Sequence, residues 1–166
     1  MCLRFPTAVA AAAAALVLVA GSAARAETVD VALALAADVS RSIDDGEFQL
    51  QRQGYARAVT DPRVLDAIKA GVHGAVALCF IEWAGPGQQA VVAKWEVIRD
   101  GETAADFAAT LLKMPRSFAG RTAIGDGIGV AMAQLAASGV DAPRKVLDVS
   151  GDGTNNAGRP VTEARD

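Results

Sequence analysis

The chain is expected to fold as an α/β domain: a doubly wound, mostly parallel sheet with an antiparallel hairpin at one edge. Three observations predict this. Apolar runs that read as strands alternate with stretches at helical spacing, the pattern of a sheet covered by helices on both faces. The first run, Val29 to Ala37 (VDVALALAA), alternates little and is bounded by polar residues, as a strand inside a parallel sheet is. Two later runs, Ala75 to Trp83 and Ala90 to Ile98, are joined through a short Gly85-Pro-Gly87 turn, which implies antiparallel pairing.

Residues 1–26 read as a secretory leader and not as part of the fold. Arg4 supplies a weak basic start, Ala8 to Ala20 is an apolar run, and Ala24-Arg-Ala26 has the small-x-small cleavage pattern. The run is short for a membrane span, although an uncleaved anchor is the alternative. The domain is then 27–166, periplasmic or secreted, with no stable membrane insertion after cleavage. The full chain of 166 residues has 16 basic and 19 acidic residues; losing Arg4 and Arg25 takes the net charge from −3 to −5. That balance argues against nucleic acid or anionic membrane as the main partner. Cys2 precedes the apolar run and leaves with the leader. Cys79, alone thereafter, sits among apolar neighbours and reads as a small core residue.

After the first strand, Asp44-Asp-Gly-Glu47 caps a helix running to about Thr60, with Phe48, Tyr55 and Val59 on its inner face. Asp61-Pro62 ends it. Arg63 to Ala70 reads as a short second helix and Gly71 to Gly74 as a turn. The two strands of the hairpin follow, with Trp83 and Trp95 as packing residues. Thr103 to Leu112 reads as a helix and Met114 to Arg121 as a loop. Ala123 to Ala137 is a helix with Ile124, Ile128, Ala131 and Leu135 inward. Lys145 to Val149 is a fourth strand, expected directly beside the first, and leads into Ser150-Gly-Asp-Gly-Thr-Asn-Asn156. Pro160 to Asp166 opens a further helix, so the domain is expected to be incomplete at its C-terminus.

The chemistry gathers at strand ends. Asp38-Val-Ser-Arg-Ser42 follows the first strand and delivers an acid and two alternately spaced hydroxyls to one point. In open α/β sheets ligands bind just beyond the carboxyl ends of strands. Thr122, before a helix, and Asp152, between two glycines past the fourth strand, are further candidate ligands. Two carboxylates and three hydroxyls suit a hard divalent cation, Mg²⁺ or Mn²⁺ ahead of Ca²⁺, and leave room for a partner's carboxylate. His73 is the sole histidine and lies in a glycine-flanked turn, so the usual zinc ligands are missing. Asp44 and Asp45 read as capping residues, Asp126 as a helix-surface residue with support of the site from behind Thr122 as the alternative, and Asn155 and Asn156 as shaping the loop after Asp152.

At these residues the chain resembles the von Willebrand factor A domain. That family's metal-ion-dependent adhesion site has Asp-x-Ser-x-Ser, then a distant Thr, then a distant Asp after a later strand. The resemblance places Asp38, Ser40, Ser42, Thr122 and Asp152 in those positions and covers about residues 28–160. It implies a Rossmann-like fold, a Mg²⁺ or Mn²⁺ site, and a protein or peptide ligand that offers a carboxylate. More narrowly, Phe80-Ile-Glu-Trp83, Gly125 and Val149 to Asn156 resemble a family of exported bacterial A-domain-like proteins of unknown function. Haloacid-dehalogenase-type phosphatases show a similar order through Asp38, Thr122, Lys145 and Gly151 to Asn156. There Asp38 would be the nucleophile, but Ser40 stands where an acid commonly protonates the leaving group. Nothing else in the sequence activates a nucleophile, so a binding module is expected and not an enzyme.

Overall fold

The computed structural model describes residues 26–166; the predicted leader lies almost wholly outside the described residues. The elements in chain order are β1 (Glu27–Thr28), β2 (Val31–Asp38), α1 (Asp45–Thr60), α2 (Pro62–Lys69), β3 (Val76–Trp83), β4 (Gln89–Ile98), α3 (Gly101–Lys113), α4 (Ile124–Ala136), β5 (Val140–Asp141), β6 (Arg144–Ser150) and α5 (Val161–Arg165). The main sheet has the order β4-β3-β2-β6. β2 runs parallel to both neighbours, and β3 pairs antiparallel with β4. The fold is therefore α/β with a mostly parallel sheet and an antiparallel edge hairpin, as the sequence predicts. The fourth long strand does lie beside the first.

Alternation along β2 divides the core. Ala32, Ala34 and Ala36 face α4, where Cys79, Ile81, Trp83, Ala131 and Leu135 complete one buried cluster. Ala37 packs on the other face with Leu78, Phe80, Phe107 and Leu111, beneath α1 and α3. Leu33 and Leu35 point to that second face but are only half-buried. They line an apolar groove of about 370 Å³ beside Tyr55 and Ile68, so the strand is less enclosed than its composition suggests. Small alanines toward α4 and large residues on the opposite face let that helix sit close to the sheet.

Several element boundaries depart from the sequence reading. The first strand begins at Val31 because the Asp30 carboxylate accepts hydrogen bonds from the backbone N–H groups of His73 and Ala75. Val29 instead donates to the Asp141 carbonyl, and β1 forms a separate parallel pair with β5 that the sequence did not reveal. Pro62 opens α2 at its first turn, with Asp61 as N-cap, so Asp61-Pro62 both ends one helix and starts the next. α3 begins at Gly101, because Asp100 and Thr103 cap it reciprocally. On α4 the inner stripe contains Gly127 rather than Ile128. A Cβ at Gly127 would lie 2.8 Å from Cγ of Trp83, so only glycine fits over the indole. Trp83 is fully buried and donates to the Ala36 carbonyl at 3.1 Å, while Trp95 donates to Gln134.

One charged pair lies in this core. Arg52 and Glu82 are 2% and 0% exposed. The Arg52 guanidinium donates twice to Glu82 Oε1, at 3.0 and 2.6 Å, and once to the Leu111 carbonyl at the end of α3. Glu82 Oε2 accepts from the Ser117 N–H at 2.8 Å. The rings of Phe48 and Phe80 lie about 5 Å from the guanidinium carbon. The pair thus joins β3, α1, α3 and the loop after α3.

Two predictions test this core. Removing one partner strands a buried charge, so Glu82→Ala is expected to lower the urea unfolding free energy by roughly 3–5 kcal/mol. The double replacement Arg52→Met with Glu82→Leu is expected to recover most of that loss; equal unfolding midpoints for wild type and Glu82→Ala would contradict this. Burial pushes the Cys79 thiol up to about 11. A disulfide reagent at pH 8 is therefore expected to leave Cys79 unlabelled in the native protein and to react with it only in denaturant, as peptide mass mapping would reveal.

Candidate metal centre

The parallel pairing sets where the candidate ligands meet. Asp38, last in β2, stands opposite Trp83 at the end of β3, and Ala37 stands opposite Ser150 at the end of β6. The loops that leave β2 and β6 therefore start side by side. The segment before α4 completes the site, held by the Ala123 N–H on the Ala84 carbonyl.

The five residues expected from the sequence come together. Asp38 Oδ1 accepts from the Ser40 N–H at 2.7 Å. Ser40 Oγ and Ser42 Oγ are 3.1 Å apart, and Ser42 Oγ donates to Asp152 Oδ1 at 2.9 Å. Thr122 Oγ1 approaches Ser40 Oγ at 3.5 Å. Asp38, Ser40 and Thr122 are buried, whereas Ser42 and Asp152 form the exposed rim. The rim opens on a cleft of about 630 Å³.

Asp38 Oδ2 is buried and has no hydrogen-bond partner among the described residues. A buried carboxylate oxygen normally finds a donor or a cation. Burial foremost raises the Asp38 carboxyl above its usual range; bonds from Ser40 oppose this, and the Asp152 charge adds to it. Gly151 lies directly over this atom. A Cβ there would come 3.3 Å from Asp38 Oδ2 and 3.2 Å from the Trp83 ring. Among the described residues no three His, Cys, Asp or Glu side chains cluster to hold a metal. A cation site here must draw on hydroxyls, and two carboxylates with three hydroxyls fit a hard divalent ion.

Residues outside the five hold the loops. The Asn156 carboxamide oxygen accepts from the Thr122 N–H at 3.0 Å, and its own N–H donates to the Thr122 carbonyl. Asn155 accepts from the Gly125 N–H at the start of α4. Both asparagines shape the loop after Asp152, as expected. Of the two readings of Asp126 the supporting one fits: its carboxylate accepts from the Arg159 N–H at 3.1 Å and ties that loop to α4. Asp44 caps α1, but Asp45 reaches toward Arg116 at 3.5 Å. His73 lies exposed in its turn.

Arg116 is the residue that sequence reasoning missed. Its Nη2 donates to the carbonyls of Val39, Ser40 and Ile43 at 2.7–2.8 Å, and its Nε donates to Phe118 at 2.9 Å. One guanidinium thus gathers the backbone of the loop that bears Ser40 and Ser42. The three carbonyls of that loop lie more than 70 residues away, which no local motif announces. Arg52 had a visible signal: it falls on the same helical stripe as Phe48, Tyr55 and Val59, where a charge needs a partner. Lys145 of the phosphatase-like order is not brought to the site. It pairs in register with Ala32, six residues before Asp38, about 20 Å along the strand.

Bonds to a charged donor are worth roughly 1.5–3 kcal/mol each, so Arg116→Ala is expected to loosen the β2–α1 loop. Amide exchange at Arg41 and Ile43, whose N–H groups bond Gly120 and Ser40 carbonyls, should accelerate at least about tenfold while β3 amides do not change. Unchanged exchange at both amides would contradict the role given to Arg116.

Among known structures, the chain is similar to proximal thread matrix protein 1 from the mussel byssus. Identity is 18%, the TM-score is 0.64, and the match covers 84% of this chain and 35% of that one. A second structure of the mussel protein, with a zinc-occupied MIDAS motif, matches at 19% identity and a TM-score of 0.63. The pilus adhesin SpaC from Lactobacillus rhamnosus GG matches at 19% identity and a TM-score of 0.55, over 78% of this chain and 16% of that one. The chain thus spans about a third or less of the length of these proteins. At such identities the likeness shows the fold, which is of the von Willebrand factor A type. No curated protein matches in sequence. A family model described as a protein of unknown function, DUF1194, matches residues 28–166, and the chain belongs to that family.

Proposed function

We propose that this chain is an exported binding module of the von Willebrand factor A type. It holds a divalent cation through Asp38, Ser40, Ser42, Thr122 and Asp152, and through that cation takes up a carboxylate on a protein partner. The observation that carries this reading is the unpartnered, fully buried Asp38 Oδ2 beside a chain of three hydroxyls that ends at Asp152. A cation there would satisfy the orphaned oxygen and offset two carboxylates held near each other.

The donor set also bears on what the ion does. The two carboxylates balance a divalent cation and the three hydroxyls add no charge, so no net negative charge repels a further anion, and five ligands leave one place of an octahedral ion unfilled. The ion keeps an appetite for one more anionic oxygen, and Ser42 and Asp152 leave the cleft side open for it. Mg²⁺ and Mn²⁺ suit small oxygen sites of this kind. The mussel protein with zinc in its MIDAS motif supports divalent binding more generally, so Zn²⁺ belongs in the comparison. Asp38 lies in a hydroxyl cluster with no acid two residues on, which supports binding over phosphoryl transfer. The leader-like N-terminus supports a periplasmic or secreted location. Among the described residues no helix is long and apolar enough to cross a membrane.

Calorimetric titration with Mn²⁺, Mg²⁺ and Zn²⁺ tests the site. Asp38→Ala and Asp152→Ala are each expected to abolish saturable Mn²⁺ binding while the circular dichroism spectrum is retained. Ser40→Ala removes one neutral ligand and should weaken Mn²⁺ binding less than either aspartate variant, leaving it saturable. Unchanged Mn²⁺ affinity in both aspartate variants would overturn the shared site. A generic phosphate ester should show no turnover with Mg²⁺; turnover lost in Asp38→Asn would establish the phosphatase reading instead.

A further inference from the structure

The charge around the cleft says more about the partner. The chain carries a net charge of −3, with acids in excess. Most of its described arginines have a carboxylate within reach: Arg52, Arg63, Arg99, Arg116, Arg159 and Arg165 each form an ion pair. Arg41 and Arg121 form none among the described residues, and both are exposed and line the cleft beside Ser42, Thr122 and Asp152. Arg57 and Arg144 also form no ion pair among the described residues, but Arg57 lies on α1 and Arg144 at the far end of β6.

The acids near the two arginines already have other partners. Asp44 caps α1, Asp45 faces Arg116, and Asp152 accepts from Ser42. Arg121 spends Nη2 on the Asn156 carbonyl at 2.7 Å, and the Arg41 side chain makes no bond within the described structure. The two segments are fastened to each other, since the Arg41 N–H donates to the Gly120 carbonyl at 2.8 Å. Two guanidinium groups therefore flank the open side of the site on a fixed backbone, in a molecule whose overall field repels anions.

Resting on the metal-site reading above, we infer that the partner presents an acidic peptide segment: one carboxylate for the cation and at least one flanking acid for Arg41 or Arg121. A guanidinium takes a carboxylate with two parallel N–H donors, which gives direction as well as charge. Gly153 faces open space and leaves its part of the cleft wall without a side chain, and Thr154 and Asn156 add neutral polar groups of the kind that hold an extended peptide backbone. A lone carboxylate would use the cation and leave both arginines idle. The arginines thus select among acidic ligands, while the cation supplies the anchor.

The test compares two labelled peptides by fluorescence anisotropy with the full chain and Mn²⁺. One carries a single central aspartate among glycines; the other adds a glutamate on each side. Exposed ion pairs contribute little each, so two flanking acids should make the flanked peptide bind about two- to thirtyfold tighter at low salt. That advantage should shrink toward unity as ionic strength shortens the screening length to a few ångströms. It should also vanish in Arg41→Gln/Arg121→Gln. The ratio of the two peptides is read within each protein, so any change in metal affinity cancels.

Equal affinity for the two peptides, or an advantage that persists in the double variant, would overturn the inference. Tighter binding of an acidic polysaccharide than of the flanked peptide at matched charge would do the same. If Mn²⁺ binds normally but neither peptide does, the partner assignment fails and the metal site stands. If Mn²⁺ itself does not bind, the site reading fails, and this inference fails with it.

Discussion

Everything at the candidate site depends on the parallel, in-register pairing of β2 with β3 and β6. Because the three strands run the same way, their carboxyl ends finish at one edge, with Asp38 level with Trp83 and Ala37 level with Ser150. An antiparallel neighbour at either position would have sent one loop to the opposite edge. Parallel strands need crossover connections, and those crossovers lay α1 and α3 on one face and α4 on the other. Helices on both faces in turn exclude water from the end of β2, which leaves Asp38 buried. The same geometry that makes the core therefore makes a carboxylate that needs a counter-charge.

Polar groups inside the fold then fix the loops that the strands only bring near. Arg52 and Glu82 gain little net stability from each other, because both lose their hydration on burial. Their contribution is geometric: a single fork of donors and acceptors spans β3, α1, the last turn of α3 and Ser117. Arg116 is attached just beyond that point and turns its guanidinium onto three carbonyls of the β2–α1 loop. On the other side, Asn155, Asn156 and Asp126 fasten the β6 loop to Thr122 and α4. Small oxygen-ligated ions demand near-fixed distances, and loops held by many hydrogen bonds can supply them.

The reading of the residues and the observed geometry agree best at the candidate site. Asp38, Ser40, Ser42, Thr122 and Asp152 were legible because their residue types and their places after apolar runs are local facts. The helix caps at Asp44 and Asp61 were legible for the same reason. The stripe on α4 was misjudged because helical periodicity cannot foresee an indole beneath it; Trp83 requires Gly127, not Ile128, at that contact. The β1–β5 pair escaped because two-residue strands carry no periodicity, and because the Asp30 side chain interrupts what reads as one continuous strand.

The sequence by itself determined the alternation of strands and helices, the edge hairpin, and which five oxygen-bearing side chains were candidates. Hydrophobic period, turn residues and caps act within a few residues, so they survive in a linear reading. Tertiary structure alone decided that those side chains meet, that one oxygen of Asp38 is left without a donor, and that Arg116 grips a loop more than 70 positions away. It also decided that, among the described residues, Arg41 and Arg121 at the cleft form no ion pair while Arg116 finds Asp45. Burial and long-range pairing arise only when the chain closes on itself, since desolvation and hydrogen-bond satisfaction are properties of the packed whole.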